Sequence, residues 1–261
     1  MEVSASSSPR RGGRPAVGEP LLDRAFRLIS TFSEERPSMS LTQLSEASQI
    51  PLSTTLRLAQ HLSRLGMLER DAEGKFRIGL RLFERATLAP RGHGIRATAL
   101  AFMEDLHRAT RQHVLLCVQD GDEAVLIERL STPNAGKVDY RVGGRLPLHG
   151  TGVGLALLAH ANPHFVDSYL AQPREFEGRP VDVGELRHRL RRIRDTGVAR
   201  NARVTPEPAV SVASPLRQRG TVVAALSVVG ADGSLDSISV EPAVVAIARA
   251  ISRQLTSQPH T

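Results

Sequence analysis

Residues 40–58 read SLTQLSEASQIPLSTTLRL. Two short apolar repeats flank an Ile-Pro step, which leaves the chain little choice but two short helices joined by a tight turn. Ser40 and Gln43 have the spacing of a capping box, in which each side chain satisfies the other residue's backbone N–H. The spacing then predicts a helix with Leu41, Leu44 and Ala47 on one face, and a turn at Gln49-Ile50-Pro51. A third helix is expected over Leu52–Leu65, stopped by Gly66. Small hydroxyl residues crowd the front of that third helix, with Arg57 just behind them.

The flanking segments extend the pattern. Leu22, Ala25, Phe26 and Ile29 recur at helical spacing between Leu21 and Phe32. After Gly66, two short strands, Met67–Arg70 and Lys75–Ile78, flank an Asp-Ala-Glu-Gly turn and read as a hairpin. Three helices and a hairpin make a winged helix-turn-helix. On the third helix, at 100° per residue, Leu58, Leu62 and Leu65 fall on one side, with Thr55 and Ala59 at its edge. Ser53, Arg57, Gln60 and Arg64 fall on the other, without an acid among them.

In such a motif the front of the second helix of the pair enters the major groove. Short Ser53, Thr54 and Thr55 side chains let the backbone come close to DNA. Arg57 has the reach to bond guanine O6 and N7 together, and Leu56 can meet a thymine methyl. Gln60 and Arg64 continue the polar face. Ser40 and Thr42 stand at the front of the preceding helix, and Lys75 and Arg77 on the hairpin can touch phosphate. The competing reading is a helical scaffold whose polar face is merely solvated.

Charge favours the first reading. The 261 residues carry a formal net charge of +7. Such a balance suits a polyanion, nucleic acid before an anionic membrane surface. Residues 1–19 are rich in Ser, Gly, Pro and Arg and are expected to be a disordered basic tail. Arg10, Arg11 and Arg14 there read as a solvated tail or as a weak DNA-touching arm. No apolar run approaches a membrane span, and the first residues have no apolar leader segment. The expected location is the cytoplasm, with no membrane partner. The single cysteine, Cys117, excludes an internal disulfide, and its apolar run HVLLCVQ suits a buried, inert thiol.

Beyond residue 79, Leu80–Leu88 reads as a connecting helix. APRGHG, with Pro90, Gly92 and Gly94 as breakers, reads as a hinge. The remainder mixes helices (Ile95–Thr110, Thr151–Ala161, Val183–Thr196, Val240–Leu255) with strands (His113–Gln119, Glu123–Leu130, Val138–Val142, Ala209–Ala213, Val222–Val229). The uneven alternation is α+β. The expected layout is a tail at 1–19, a DNA-binding domain at 20–79, a linker helix and hinge at 80–93, a second domain at 94–256 and a tail at 257–261.

The stretch LTQLSEASQIPLSTTLRLAQHLSRLGMLERDAEGKFRIGLRL resembles the DNA-binding domain of IclR-type transcriptional regulators. The similarity continues through RVGGRLPLHGTGVGLALLA, RRIRDTGVA and VASPLRQRGTVVAALSVVG, so it spans about Leu21 to Leu255. It implies a C-terminal GAF-like mixed α/β effector-binding domain after the linker helix. It also implies a homodimer or dimer of dimers on pseudo-palindromic double-stranded operator DNA.

Within PLHGTGVGLALLA the glycine spacing is not that of a dinucleotide loop, and the lysine of a phosphate loop is missing. A helix start that receives a small carboxylate is the better physical reading. The resemblance assigns Gly152 and Val153 to the effector pocket, with His149 placed to orient the turn or to serve it structurally. It also points to VARNARVTPEPAVSVASP, where Asn201 stands at a position often acidic. Val204 and Pro208 replace a frequent Glu and Gly, and Ser211 replaces a frequent Cys. Ala213, Pro215 and Ser227 keep the pattern. A neutral, polar pocket follows, in which Asn201, Ser211 and Ser227 either bond a small organic acid or satisfy nearby backbone. The arginine-rich run at 187–194 alternates with Leu186, Leu190 and Ile193, so it reads as the solvent face of an amphipathic helix.

The expected function is a DNA-binding transcriptional regulator, a repressor by default, whose operator affinity responds to a small metabolite. Two other classes compete. An enzyme would need a nucleophile–base pair or a metal cluster, and the histidines are scattered singly without a paired Cys motif. A sequence-neutral DNA-binding protein would have no use for an elaborate second domain. No catalytic residue, metal or cofactor is expected.

Overall fold

The computed structural model describes residues 19–33, 35–132, 135–136, 140–203 and 208–257. The chain divides into two compact units, residues 1–88 and 89–261. The tail arginines, Val138 and Val204 lie outside the described residues.

The first unit comprises α1 (Leu21–Ile29), β1 (Ser38–Met39), α2 (Leu41–Ser48), α3 (Leu52–Arg64), β2 (Leu68–Arg70), β3 (Phe76–Ile78) and α4 (Leu80–Ala86). Strands β2 and β3 form the expected hairpin, and β1 adds antiparallel to β3. The capping box is present: Ser40 Oγ accepts from Gln43 N–H at 3.3 Å, and Gln43 Oε1 accepts from Ser40 N–H at 2.8 Å. Leu28, Phe32, Met39, Leu44, Ile50, Leu58, Leu62, Leu68 and Phe76 form one buried cluster.

Helical spacing misassigned several apolar side chains here. On α1 the buried residue is Leu28, while Leu22 and Phe26 are 79% and 72% exposed. On α2 Ser48 is buried and Ala47 is exposed; the Ser48 hydroxyl donates to Leu44 O, which makes it compatible with the core. Leu65 caps α3 and lies open to solvent, because Gly66, at φ +71°, turns the chain away after it.

The second unit is a six-stranded antiparallel sheet covered on both faces. The strand order is β6 (Arg145–Pro147), β5 (Glu123–Leu130), β4 (His113–Asp120), β11 (Thr221–Ala231), β10 (Ala209–Gln218) and β9 (Ala199–Arg203). Helices α5 (Pro90–Thr110) and α9 (Ser237–Ser257) pack on one face. Helices α6 (Gly152–His160), α7 (Pro163–Ala171) and α8 (Val183–Thr196) pack on the other. A small hairpin of β7 (Glu175–Phe176) and β8 (Arg179–Pro180) lies between α7 and α8 in sequence. Double coverage explains the unbroken apolar run of β4: Leu115 and Cys117 join one cluster, and Val114, Leu116 and Val118 the other.

Three expectations are corrected. The segment around Pro90, Gly92 and Gly94 is the first turn of α5, not a hinge. Proline at the first helical position gives up an N–H that has no partner there in any case, and the remaining sixteen residues, 95–110, carry the helix. The strand expected over 138–142 does not form at residues 140–142; the sixth strand is Arg145–Pro147. Helix α7, with its Asn162 cap and Pro163, was not anticipated.

Candidate nucleic-acid interface and effector cavity

The turn between α2 and α3 is held by hydroxyls. Gln49 adopts a left-handed conformation at φ 55°, which sends the chain into Ile50-Pro51. Ser45 Oγ and Thr55 Oγ1 then both donate to the Ile50 carbonyl, at 2.6 and 3.0 Å. Thr55 is wholly buried, so it is removed from the DNA-contacting set: its hydroxyl fixes the angle between the two helices. Ser40 has likewise a capping role, though it remains half-buried at the front of α2 beside exposed Thr42.

What is left on α3 forms a coherent outer face. Ser53, Arg57, Gln60 and Arg64 are exposed, with Thr54 and Leu56 half-buried beside them. Pro51 supplies no side-chain cap, so the first N–H groups of α3 are open to an anion. Arg64 touches His61 Nδ1 at 2.7 Å, and among the described residues no acid pairs with Arg57.

The wing is less free. Lys75 Nζ lies 2.7 Å from Glu73, and Arg77 lies 3.2 Å from Glu69. The Lys75 pairing raises its pKa, with the Glu73 hydrogen bond as the main cause. Asp71 organises the hairpin turn by accepting from the N–H groups of Glu73 and Lys75 and from Ser38 Oγ. The basic wing is therefore partly neutralised by its own acids.

In the second unit a small cavity lies between the start of α6 and the sheet, lined in part by Gly152, Val153, Asn201, Ser211 and Ser227. Five of the six residues expected at the effector site therefore converge. Thr151 caps α6, accepting from Gly154 N–H at 3.1 Å and donating to Pro147 O at 3.0 Å. Gly152 and Gly154 serve close packing. A Cβ at Gly152 would lie 2.6 Å from Ser211 Oγ, and one at Gly154 would lie 2.5 Å from Pro147 O. The glycines let the helix start sit directly on the sheet.

The sixth residue, His149, does not line the cavity. Its Nδ1 meets Tyr169 OH at 2.6 Å and its Nε2 meets Glu175 O at 3.0 Å. With Nε2–H donating to the carbonyl, Nδ1 accepts from the phenol, so both nitrogens of a neutral ring are used. Burial holds its pKa below the ordinary imidazole value. His149 is a structural tie.

Asn201 is also committed. Its Nδ2 donates to Gly150 O at 3.0 Å and its Oδ1 accepts from Arg189 at 3.0 Å, joining β9 to α8 and to the turn before α6. Ser211 Oγ lies 3.4 Å from Asn201 O. Ser227 is different: it is 1% exposed, and its hydroxyl has no partner among the described residues.

Sequence reading missed Arg203 and Tyr140, which also line the cavity. Arg203 stands two residues after Asn201 on β9, so strand alternation puts both on one face. Its guanidinium lies over the Tyr140 ring at 5.1 Å, and its buried Nε has no hydrogen-bond partner among the described residues. The cavity is consequently cationic: among its described lining residues there is no acid. On α8, Leu186, Leu190 and Ile193 are buried as expected, but Arg189 turns partly inward to Asn201. Among the described residues, no group of three or more His, Cys, Asp or Glu side chains could hold a metal ion.

Two family models match the chain: the IclR helix-turn-helix domain over residues 21–72, and the bacterial transcriptional regulator IclR C-terminal domain over residues 88–257. The HTH-type transcriptional regulator XynR of Escherichia coli K12 is 28% identical over 211 residues, 79% of this chain and 84% of XynR. The HTH-type transcriptional repressor AllR of the same strain is 29% identical over 238 residues, 87% of this chain and 88% of AllR. An IclR homolog of Microbacterium hydrocarbonoxydans, solved in complex with 4-hydroxybenzoate, matches with a TM-score of 0.83 and 30% identity, covering 92% of this chain and 100% of that one. Thermotoga maritima IclR shares the fold at a TM-score of 0.72 and 22% identity, covering 90% and 98%.

Proposed function

This chain belongs to the IclR family of bacterial transcriptional regulators, and from that premise we propose that it is a repressor whose grip on a specific operator is set by a small organic acid bound in its C-terminal unit. The observation that carries the DNA-binding half is the outer face of α3. Ser53, Arg57, Gln60 and Arg64 are exposed on a helix whose entry is locked by Ser45 and Thr55.

Arg57 is the base reader in this account, with Ser53 and Thr54 bringing the backbone close and Leu56 available to a thymine methyl. Gln60, Arg64, Ser40, Thr42, Lys75 and Arg77 position the duplex through phosphate. Repression is supported by the likeness to a relative named as a repressor, AllR. An acid as effector is supported by the 4-hydroxybenzoate complex of the Microbacterium homolog and by the acid-free cavity. Gly152, Val153 and Ser227 contact that effector, and Ser211 closes the wall beside them.

The operator is pseudo-palindromic and is read by a homodimer or dimer of dimers. Exposed Leu22 and Phe26 on α1 and Phe83 on α4 support self-association of the DNA-binding unit. Residues 20–79 act as the DNA-binding domain, α4 as the connection and the unit that begins with α5 as the effector domain. The protein works in the cytoplasm. Among the described residues no helix is long and apolar enough to cross a membrane.

Footprinting of the DNA upstream of the protein's own gene tests this reading. Two protected half-sites about one helical turn apart are expected. Uniform protection of the whole fragment, or none, counts against it.

A further inference from the structure

We propose that Arg203 selects the ligand: it pairs with the carboxylate of a small acid that has an apolar body, and gives up the Tyr140 ring to do so. The inference rests on the effector reading above and supplies the chemistry of that ligand.

Four observations converge. The cavity walls are largely apolar, with Leu115, Leu146, Val153 and Val229 among them. Ser227 Oγ is buried there without a partner among the described residues, an orphan that a ligand oxygen would satisfy. The start of α6 borders the same space at Gly152 and Val153, and the first N–H groups of a helix have no intrahelical partner. Arg203 supplies the only charge among the described lining residues, and its guanidinium has no acid partner among the described residues.

These features sort ligand classes. A neutral molecule would leave the guanidinium unpaired. A phosphate monoester would bring about two charges against one guanidinium. A singly charged carboxylate matches one guanidinium, in a bidentate pair stronger than the stack on tyrosine. The apolar walls favour a body of aryl or branched aliphatic carbon.

Size makes Arg203 part of the entry step as well. The cavity is about 20 Å³, room for about one water molecule. An organic acid needs more room than that, and in this proposal the room comes from separating the Arg203–Tyr140 pair. Binding then exchanges one contact of Arg203 for another.

Isothermal titration of the full-length protein with benzoate and benzamide, and with 3-methylbutanoate and its amide, tests the assignment. At least one acid should bind about tenfold or more tighter than its amide, since a hydrogen bond to a charged group is at stake. R203M should bring the acid down to the amide's affinity, and R203K should keep a weaker preference for the acid, with unliganded melting temperatures close to that of the natural protein. The assignment is overturned if neither acid binds more tightly than about 1 mM, if acid and amide bind alike, or if R203M binds the acid as well as the natural protein does. Operator affinity measured alongside separates the two claims. Acid binding through Arg203 that leaves operator affinity unchanged keeps the site and removes the effector role. Equal acid and amide binding with operator affinity intact removes the site alone.

Discussion

Thr55 donates its hydroxyl to the Ile50 carbonyl at 3.0 Å from a position with no solvent exposure. One threonine of the Ser-Thr-Thr front of α3 is therefore a brace, with Ser53 exposed and Thr54 half-buried beside it. Thr55→Val keeps the shape and removes the donor. It should cost the DNA-binding unit about 1–2 kcal/mol in urea unfolding. An unchanged midpoint would mean that Ser45 alone suffices to hold the turn.

Arg57 should behave in the opposite way. It is exposed and has no acid partner among the described residues. Arg57→Ala should leave the unfolding midpoint where it is, cost about 1–3 kcal/mol on the operator and relax selectivity at one base position. Equal loss on every duplex would reassign the side chain to phosphate.

Gly152 tests how tightly α6 sits on the sheet. Gly152→Ala places a methyl 2.6 Å from Ser211 Oγ. Overpacking of this kind costs about 1–3 kcal/mol, and the methyl also intrudes on the cavity. Calorimetry should show a lower melting temperature for the C-terminal unit. An unshifted transition would show that β10 yields at no cost.

Acid should weaken the second unit. His113, His149 and His160 all have pKa values held below the ordinary 6.5, with burial the first cause in each. Protonation would also add an N–H at His113 Nδ1 and at His160 Nε2, two buried atoms that have no partner among the described residues. Between 6.5 and the folded values the unfolded chain binds more protons than the native one. Stability is thus full above 6.5 and is lost as pH falls through the folded values. The melting transition of the second unit should lie lower at about pH 5.5 than at about pH 7.5, and His160→Gln should shrink the difference. A transition that rises on acidification contradicts this.

Local signals made the first unit legible. The Ser40–Gln43 box, the Ile50-Pro51 step and Gly66 each act within a few residues, so the sequence placed α2, the turn and α3 closely. Side-chain direction was harder. Nothing local says that Leu22 and Phe26 stay exposed, or that Thr55 turns inward. Pro90, Gly92 and Gly94 looked like a break because their low helix propensity was weighed without their position in a first turn. Cavity residues were found where they lay on a motif, Gly152 or Ser227, and missed where they did not. Arg203 sits on edge strand β9, whose sequence ARNAR reads as polar loop until its alternate burial is seen.

The most direct test is fluorescence anisotropy of the full-length protein on DNA from upstream of its own gene, against a scrambled duplex of equal length at near-physiological salt. A preference of about 10³ or more for the upstream DNA, abolished by Arg57→Ala together with Ser53→Ala, is the predicted result. Equal affinity for both duplexes that survives the double substitution would contradict the account, because α3 would then not be reading the DNA.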